Sequence, residues 1–264
     1  MDVHDAFRPD ALEKVKGNCL YAADYDMAGM LYIKTFWTEK IYAVVKSIDT
    51  AEAEAVPGVV RVITAKDIKG TNRANIFEPY DRPVLVEVGG KVEFSGDSLA
   101  LVVAETEEIA AEAVKKIHVD YEPYEGPFTM EDIQKMKKEP AMTEALKKGD
   151  VHKSMAEADV IVEEHFHIPM GEHAYIEPEC GVAYVDGSGI INLIFGTQNP
   201  ARHHRMLSKS LGLSNTDIRI ISPYVGGAFG GKHSISVQNH LVLAASVVRR
   251  PVKLVWTREE SFFA

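Results

Sequence analysis

The stretch IRIISPYVGGAFGGKHSISVQNHLVLAASVV, residues 218–248, decides how the second half of the chain folds. Its β-branched start predicts a strand over 218–222, and its apolar end predicts a long helix over 234–248. Between them lies a glycine loop, residues 226–231. A strand, a glycine loop and a helix in this order are typical of anion-binding sites, because glycines let a ligand approach the backbone N–H groups closely.

The same loop has two other interpretations. From Gly226 to Lys232 it matches the Gly-x4-Gly-Lys pattern of phosphate-binding P-loops. That motif continues with Ser or Thr, whose hydroxyl binds Mg²⁺, whereas His233 stands here. A P-loop-like nucleotide binder is therefore an alternative ranked below other anionic ligands. The remaining interpretation is a tight turn that packs a helix on a strand.

Two further motifs carry polar side chains. Gly-Thr-Gln-Asn-Pro, residues 196–200, follows a strand predicted over 190–195 and places Gln198 at the strand end as a donor. A turn with solvated amides is the more common explanation of such a motif. His-Ala-Tyr-Ile-Glu-Pro-Glu, residues 173–179, carries Glu177 and Glu179. These carboxylates could act as acid and base, but we expect them to be solvated loop charges.

A pair of histidines raises the question of a metal. His165 and His167 would lie on one face of a strand predicted over 160–167, as in some zinc sites. No fixed third ligand accompanies them. We therefore expect a polar strand face and no metal ligands.

The composition is that of an ordinary folded chain. Of its 264 residues, 46% are hydrophobic and 26% are charged, which excludes a disordered chain, a collagen and a coiled coil. The net charge of −10 disfavours nucleic-acid binding, which depends on Lys and Arg. Two cysteines without a CxxC pair predict no disulfide framework, no iron–sulfur ligand set and a reducing, cytoplasmic compartment. The longest apolar run, 241–248, is far short of the roughly 18 residues that span a membrane.

The pattern of elements predicts an α+β chain with two domains. The first domain covers 1–126, a linker covers 127–149 and the second domain covers 150–264. Strands of the first domain are predicted at 31–37, 41–47, 59–63, 99–104 and 117–121, with helices at 50–56 and 106–116. Elements of the second are predicted as a helix at 151–158, strands at 181–185 and 252–256, and a helix at 201–211.

The last residues contain a helix signal. Thr257 to Glu260 has the S/T-x-x-E form of a capping box, so a helix should begin there, and four residues follow. We expect a domain that continues elsewhere, in a fragment or one piece of a split polypeptide. The alternative is a short frayed turn.

Short strings along the chain resemble, in the order of that family, the molybdenum-binding subunit of molybdenum hydroxylases, the xanthine dehydrogenase and aldehyde oxidase family. Each string is weak alone, but the ordered set is specific and covers nearly the whole chain. The strings are KVKG at 14–17, AADY at 22–25, GMLY at 29–32, SID at 47–49, VPGV at 56–59, ALVVA at 100–104, VDYE at 119–122, HAYIEP at 173–178, TQNP at 197–200, GGAFGGK at 226–232 and KLVWTREE at 253–260.

The resemblance implies a fold and a set of site residues. The fold is an α/β hammerhead domain followed by the beginning of a mixed α/β molybdenum-cofactor domain. Gln198 matches the glutamine that bonds the apical ligand of molybdenum. Phe229 and Gly230 match the pair that lines the metal and donates backbone N–H groups, while Gly227 and Gly231 keep the loop close to the cofactor. His233 stands where xanthine-oxidising members carry a purine-binding glutamate, which argues against xanthine as the substrate.

The resemblance also implies cofactors, partners and an activity. The cofactor is molybdopterin, often a cytosine dinucleotide in bacteria, and iron–sulfur clusters and FAD are expected on partner chains. The remainder of the molybdenum subunit, with the family's substrate-binding arginine and glutamate base, is another expected partner. The predicted activity is oxidation of an N-heterocyclic aromatic compound or an aldehyde with water-derived oxygen. A non-catalytic scaffold fragment of such a complex is the alternative, and the isolated chain is expected to be inactive.

Overall fold

The computed structural model describes residues 8–74, 82–139 and 143–264. Contacts divide the chain into two units. The first unit joins the chain up to Gly126 with His173–Ala264, and the second covers Pro127–Glu172. The site described below lies within the first unit.

Strands and helices alternate along the described residues. The strands, β1 to β10 in chain order, are Leu31–Trp37, Ala43–Asp49, Val59–Thr64, Lys91–Val92, Ser98–Ala104, His118–Pro123, Cys180–Val185, Ile191–Phe195, Ile218–Ile221 and Val252–Val255. The α-helices, α1 to α8 in chain order, are Ala11–Val15, Ala51–Glu54, Glu107–Val114, Met130–Lys135, Val151–Ala156, Pro200–Leu211, Val237–Val248 and Arg258–Phe263.

A seven-stranded mixed sheet forms the centre of the first unit. Its order is β3-β5-β1-β10-β7-β8-β9, and a smaller sheet has the order β4-β2-β6. The large sheet joins strands from both ends of the chain, because β1 pairs in parallel with β10, with Leu31 opposite Val252. The two predicted domains thus share one sheet, and the boundary between them stays a prediction.

Strand β5 is buried on both faces, as its continuous apolar run predicts. Leu101 and Val103 belong to the core cluster that contains the buried face of α7. Val102 and Ala104 belong to the opposite cluster, which contains α3. The predicted cap of α3 is also present, since Thr106 accepts a hydrogen bond from the Ile109 N–H group.

Helix α7 begins later than the sequence predicts. The expected start is residue 234, but a 3-10 turn occupies Gly231–His233 and the α-helix starts at Val237. The Gln238 side chain accepts a hydrogen bond from the Ser236 backbone N–H, which replaces an intrahelical partner just before the first turn. The C-terminal helix predicted at Thr257 is confirmed, with its capping box, as α8.

The strand predicted over 160–167 is wrong. The structure shows irregular chain there, and Val160 and Val162 are each 78% exposed. A strand requires a neighbouring strand for its backbone hydrogen bonds, and no described residue supplies one to this segment. His165 and His167 are exposed as well, so the polar strand face expected for them does not form.

The second unit contains two short helices. Thr129 caps α4, which lies inside the predicted linker, and Asp150 caps α5. Neither helix has a buried residue. A search of the described residues found no helix whose length and apolar character would let it cross a membrane.

Candidate functional site

Two loops leave the same edge of the large sheet. Strands β8 and β9 are parallel neighbours, with Ile191 opposite Ile218, so their carboxyl ends lie together. The loop after β8, residues 196–199, is called the amide loop here, and the chain after β9 leads into the glycine loop. Crevices beyond the carboxyl ends of parallel strands are common ligand sites in α/β proteins.

The glycine loop adopts a backbone conformation that few residue types accept. The φ angles are 103° at Gly227, 49° at Phe229 and 108° at Gly230. A positive φ at an aromatic residue is uncommon and costs free energy, and such strain often occurs at functional sites. The Phe229 side chain is 78% exposed, so the strain is not offset by its burial in a core.

Two other glycines in the loop allow it to pack on the segment that contains Tyr175 and Glu177. A Cβ atom at Gly226 would lie 2.4 Å from the Glu177 Cβ. One at Gly231 would lie 2.5 Å from the Tyr175 Cε1. Both distances are shorter than any real contact, so glycine at these two positions serves close packing against the protein itself.

Glu177 is a buried, bonded residue, which corrects both sequence interpretations of it. Its Oε2 accepts hydrogen bonds from the Lys232 Nζ at 2.5 Å and from the Gly226 N–H at 2.9 Å. The Glu177 and Lys232 side chains are 9% and 4% exposed. Glu177 is therefore a bonded, largely enclosed carboxylate and not a solvated loop charge.

This ion pair is also evidence against the P-loop alternative. A P-loop lysine must reach the phosphates of its ligand. The Lys232 ammonium instead lies between the Glu177 carboxylate and the ring of Tyr175, 4.7 Å from the ring centroid. Helix α7 starts five residues after Lys232, so its N-terminus does not directly follow the loop.

Glu179 is buried beside the same network. The Tyr175 hydroxyl donates a hydrogen bond to the Glu179 Oε1. The neighbouring Cys180 is also buried, and burial raises the pKa of its thiol to about 12. Glu179 is therefore not the solvated loop charge that the sequence predicts, and both Glu179 and Cys180 are buried.

Gln198 lies exposed in the amide loop, next to the glycine loop. Its backbone N–H donates to the Lys232 carbonyl at 3.4 Å. The structure therefore brings together the motifs at 196–200 and 226–232, which are about 30 residues apart in the sequence. His233 is exposed too, and its Nδ1 lies 3.5 Å from a guanidinium nitrogen of Arg202.

His203 links the two loops from helix α6, a role that the sequence pattern does not reveal. The ring is buried, with its Nδ1 2.9 Å from the Thr197 hydroxyl and its Nε2 3.0 Å from the His233 carbonyl oxygen. Burial lowers the pKa of His203. The signal that could have revealed its burial is helical spacing, because His203 shares the buried face of α6 with Met206 and Leu207.

The groups displayed at this edge fit an anionic, oxygen-rich cofactor. The backbone N–H groups of Phe229 and Gly230 donate to no protein acceptor in the described part of the chain. The exposed carboxamide of Gln198 adds another donor beside them. The Lys232 charge is neutralised by Glu177, so neutral donors, rather than a cation in direct contact, would hold the ligand.

Comparison with known proteins defines the class. Residues 133–264 match the family model described as the molybdopterin cofactor-binding domain. Residues 16–125 match the a/b hammerhead domain of aldehyde oxidase and xanthine dehydrogenase. The chain belongs to the molybdenum hydroxylase family, and the fold class predicted from the sequence is confirmed.

Individual relatives are longer than this chain. It is 37% identical over 260 residues to the nicotinate dehydrogenase large molybdopterin subunit of Eubacterium barkeri, covering 96% of this chain and 60% of that one. It is 36% identical to a probable xanthine dehydrogenase subunit of Bacillus subtilis (strain 168), covering 96% and 35%. The aldehyde oxidoreductase structure from Desulfovibrio gigas superposes with a TM-score of 0.84 at 30% identity, covering 97% and 30%.

Proposed function

We propose that this chain forms part of the molybdenum-binding subunit of a hydroxylase that oxidises an N-heterocyclic aromatic compound or an aldehyde. The observation that carries the proposal is the meeting of the amide loop and the glycine loop at one sheet edge, with Gln198 and Gly230 both exposed there. Family membership supports the choice of cofactor. The activity belongs to the assembled subunit, since the relatives extend well beyond the length of this chain.

Each site residue has a role in this proposal. Gln198 would offer its carboxamide N–H to the anionic cofactor, and Phe229 and Gly230 would offer their backbone N–H groups from the glycine loop. Gly227, with its φ of 103°, allows the loop its conformation, and Gly231 lets the loop pack on Tyr175, so that those donors are held in place. Molybdopterin, when bound, supplies a molybdenum centre that carries the redox chemistry. The contribution of this chain is a set of fixed dipoles around an anionic group.

The electrons must leave through partners. Neither cysteine, Cys19 or Cys180, is paired in a disulfide, and both are buried, so they offer no cluster ligands at the surface. We therefore propose iron–sulfur clusters and FAD on partner chains, and a cytosine dinucleotide form of molybdopterin. The free thiols also support a reducing, cytoplasmic setting.

The direct test is to purify the complex that contains this chain and measure its molybdenum and released pterin. The proposal expects both in stoichiometric amounts. A complex that contains neither would support the scaffold alternative instead.

Substrate choice is proposed to depend on His233. Its imidazole and the neighbouring Arg202 guanidinium are donors where xanthine-oxidising relatives carry a carboxylate, so an anionic ring should be favoured over xanthine. Replacing His233 with Glu should shift the ratio of kcat/KM for xanthine to that for nicotinate towards xanthine by roughly fivefold or more. Steady-state kinetics of the reconstituted complex measures this ratio.

A matched histidine controls for the added charge. His152, exposed on helix α5 in the second unit, provides the same His→Glu change at a residue that belongs to neither loop. His152→Glu should leave the substrate ratio unchanged. An unchanged ratio in His233→Glu as well would show that His233 does not contact the substrate.

A further inference from the structure

Two buried side chains outside the site loops hold those loops together. The first is Glu177. It accepts a hydrogen bond from Gly226, the first residue of the glycine loop, and pairs with Lys232, the residue directly after that loop. One carboxylate therefore fixes both ends of the loop. The Lys232 carbonyl also accepts the Gln198 N–H. The contact between Glu177 and Lys232 therefore also fixes the position of the amide loop.

The second is His203, which completes a directional chain of hydrogen bonds. A carbonyl oxygen only accepts, so the Nε2 that faces the His233 carbonyl must carry the proton. The neutral ring then has an acceptor Nδ1, to which the Thr197 hydroxyl donates at 2.9 Å. The Thr197 oxygen in turn accepts the Asn199 N–H at 3.0 Å. This chain runs from the amide loop through His203 to the residue that follows Lys232.

Both groups are placed for support and not for reaction. Glu177 is 9% exposed and its Oε2 is occupied by two donors, while the ring of His203 is fully buried and stacks on Phe195 at a centroid distance of 5.4 Å. Neither reaches the exposed side where Phe229 and Gly230 present their N–H groups. Their influence on a ligand must therefore pass through the loops that they bond.

We propose that Glu177 and His203 are positioning residues for the molybdenum cofactor: together they set the separation between the Gln198 carboxamide and the N–H groups of the glycine loop. The inference rests on the proposed function. Loss of either contact should let the two loops move apart, so that the donors no longer converge on one ligand. The cost should appear as weaker cofactor retention, because donors act strongly only when they are held in place.

Two shape-preserving substitutions test this in the purified complex. Glu177→Gln keeps the shape of the side chain but leaves the Lys232 ammonium buried without its counter-charge. His203→Phe keeps a ring against Phe195 and removes both hydrogen bonds. Each variant should release pterin about tenfold faster than the wild type or faster, a change that corresponds to a modest loss of binding free energy. Hydrogen exchange in peptides covering 196–199 and 226–233 should also increase.

A matched control removes a different ion pair of the same unit. Asp26, which is mostly exposed, pairs with Lys253 at 2.9 Å, and Asp26→Asn makes the same carboxylate-to-amide change away from the loops. It should leave pterin release and loop exchange at wild-type levels. Lys232→Arg keeps a cation opposite Glu177 and should retain more cofactor than Glu177→Gln does.

The outcomes separate this inference from the proposed function. Wild-type cofactor retention and loop exchange in both variants would overturn the inference and leave the proposed function standing. A wild-type complex without molybdenum would defeat the proposed function, and the exchange measurement would still report whether the two residues hold the loops. If Glu177→Gln also lowers the protection of β5 from hydrogen exchange, the substitution affects the fold as a whole. His203→Phe, together with Lys232→Arg, then decides whether the two residues position the loops.

Discussion

Replacing Gly230 with Val should abolish cofactor insertion in the complete complex. The φ of 108° at Gly230 lies in a region that a β-branched residue avoids, so the valine would force the loop into another conformation. The strain should amount to about 1–3 kcal/mol, enough to favour a displaced loop. Among the described residues, only two His173 side-chain atoms lie within 4 Å of the Cβ position, at 3.5 and 3.8 Å, so none of their backbone atoms blocks it. Molybdenum content of the purified complex measures the effect.

A second glycine separates the site from general strain. Gly189 has a φ of 86° in the turn between β7 and β8, and no atom of the described residues lies within 4 Å of its Cβ position. Gly189→Val should lower the free energy of unfolding by a similar amount while the complex keeps its molybdenum. If Gly230→Val also keeps wild-type molybdenum, the glycine loop is only a turn and the proposed site is wrong.

Acid should destabilise the protein through His240. This ring is buried in α7, with Nδ1 3.4 Å from the Thr35 hydroxyl and Nε2 3.2 Å from the Ser98 hydroxyl. Burial lowers its pKa from 6.5 to about 4. Between those two pH values the unfolded chain binds a proton that the folded state does not, so stability is lost as the pH falls through this window. The loss should reach about 3 kcal/mol by pH 4.

Acid also removes the stabilisation that comes from carboxylates whose pKa values are lowered in the folded state. The contribution of His240 is therefore measured as the difference between the wild type and a His240 variant. The free energy of urea unfolding should fall less steeply between pH 6.5 and pH 4 in His240→Gln than in the wild type. His118, largely exposed on β6, offers a matched change, and His118→Gln should retain the wild-type slope. Equal slopes in all three proteins would rule out a buried neutral His240.

Much of the fold could be predicted from local patterns. The run over 99–104 required a strand buried on both faces, and Thr106 and Thr257 required helix starts; all three are present. These signals are local, since they depend on side-chain periodicity and on the donors of one helix turn. The strand predicted over 160–167 failed for the opposite reason. Its β-branched residues, Val160, Ile161 and Val162, form a strand only when another strand lies beside them.

The motifs of the candidate site could be predicted from the sequence, but the contacts between them could not. Gln198 and the glycines were identified from strand ends and loop composition, and family resemblance supplied their proposed roles. The burial of Glu177 could not be predicted, because its partner Lys232 lies 55 positions away in the chain. The role of His203 could not be predicted either, because its bonds to Thr197 and to the His233 carbonyl form only once α6 packs against both loops.

In the proposed function, the amide loop and the glycine loop together line one side of the molybdenum-cofactor site. Hydrogen exchange of the intact complex, compared before and after removal of the cofactor, tests it most directly. We expect peptides covering 196–199 and 226–233 to lose protection together when the cofactor is removed, while peptides from β5 do not change. Unchanged exchange in both loops, with molybdenum demonstrably present before removal, would contradict it.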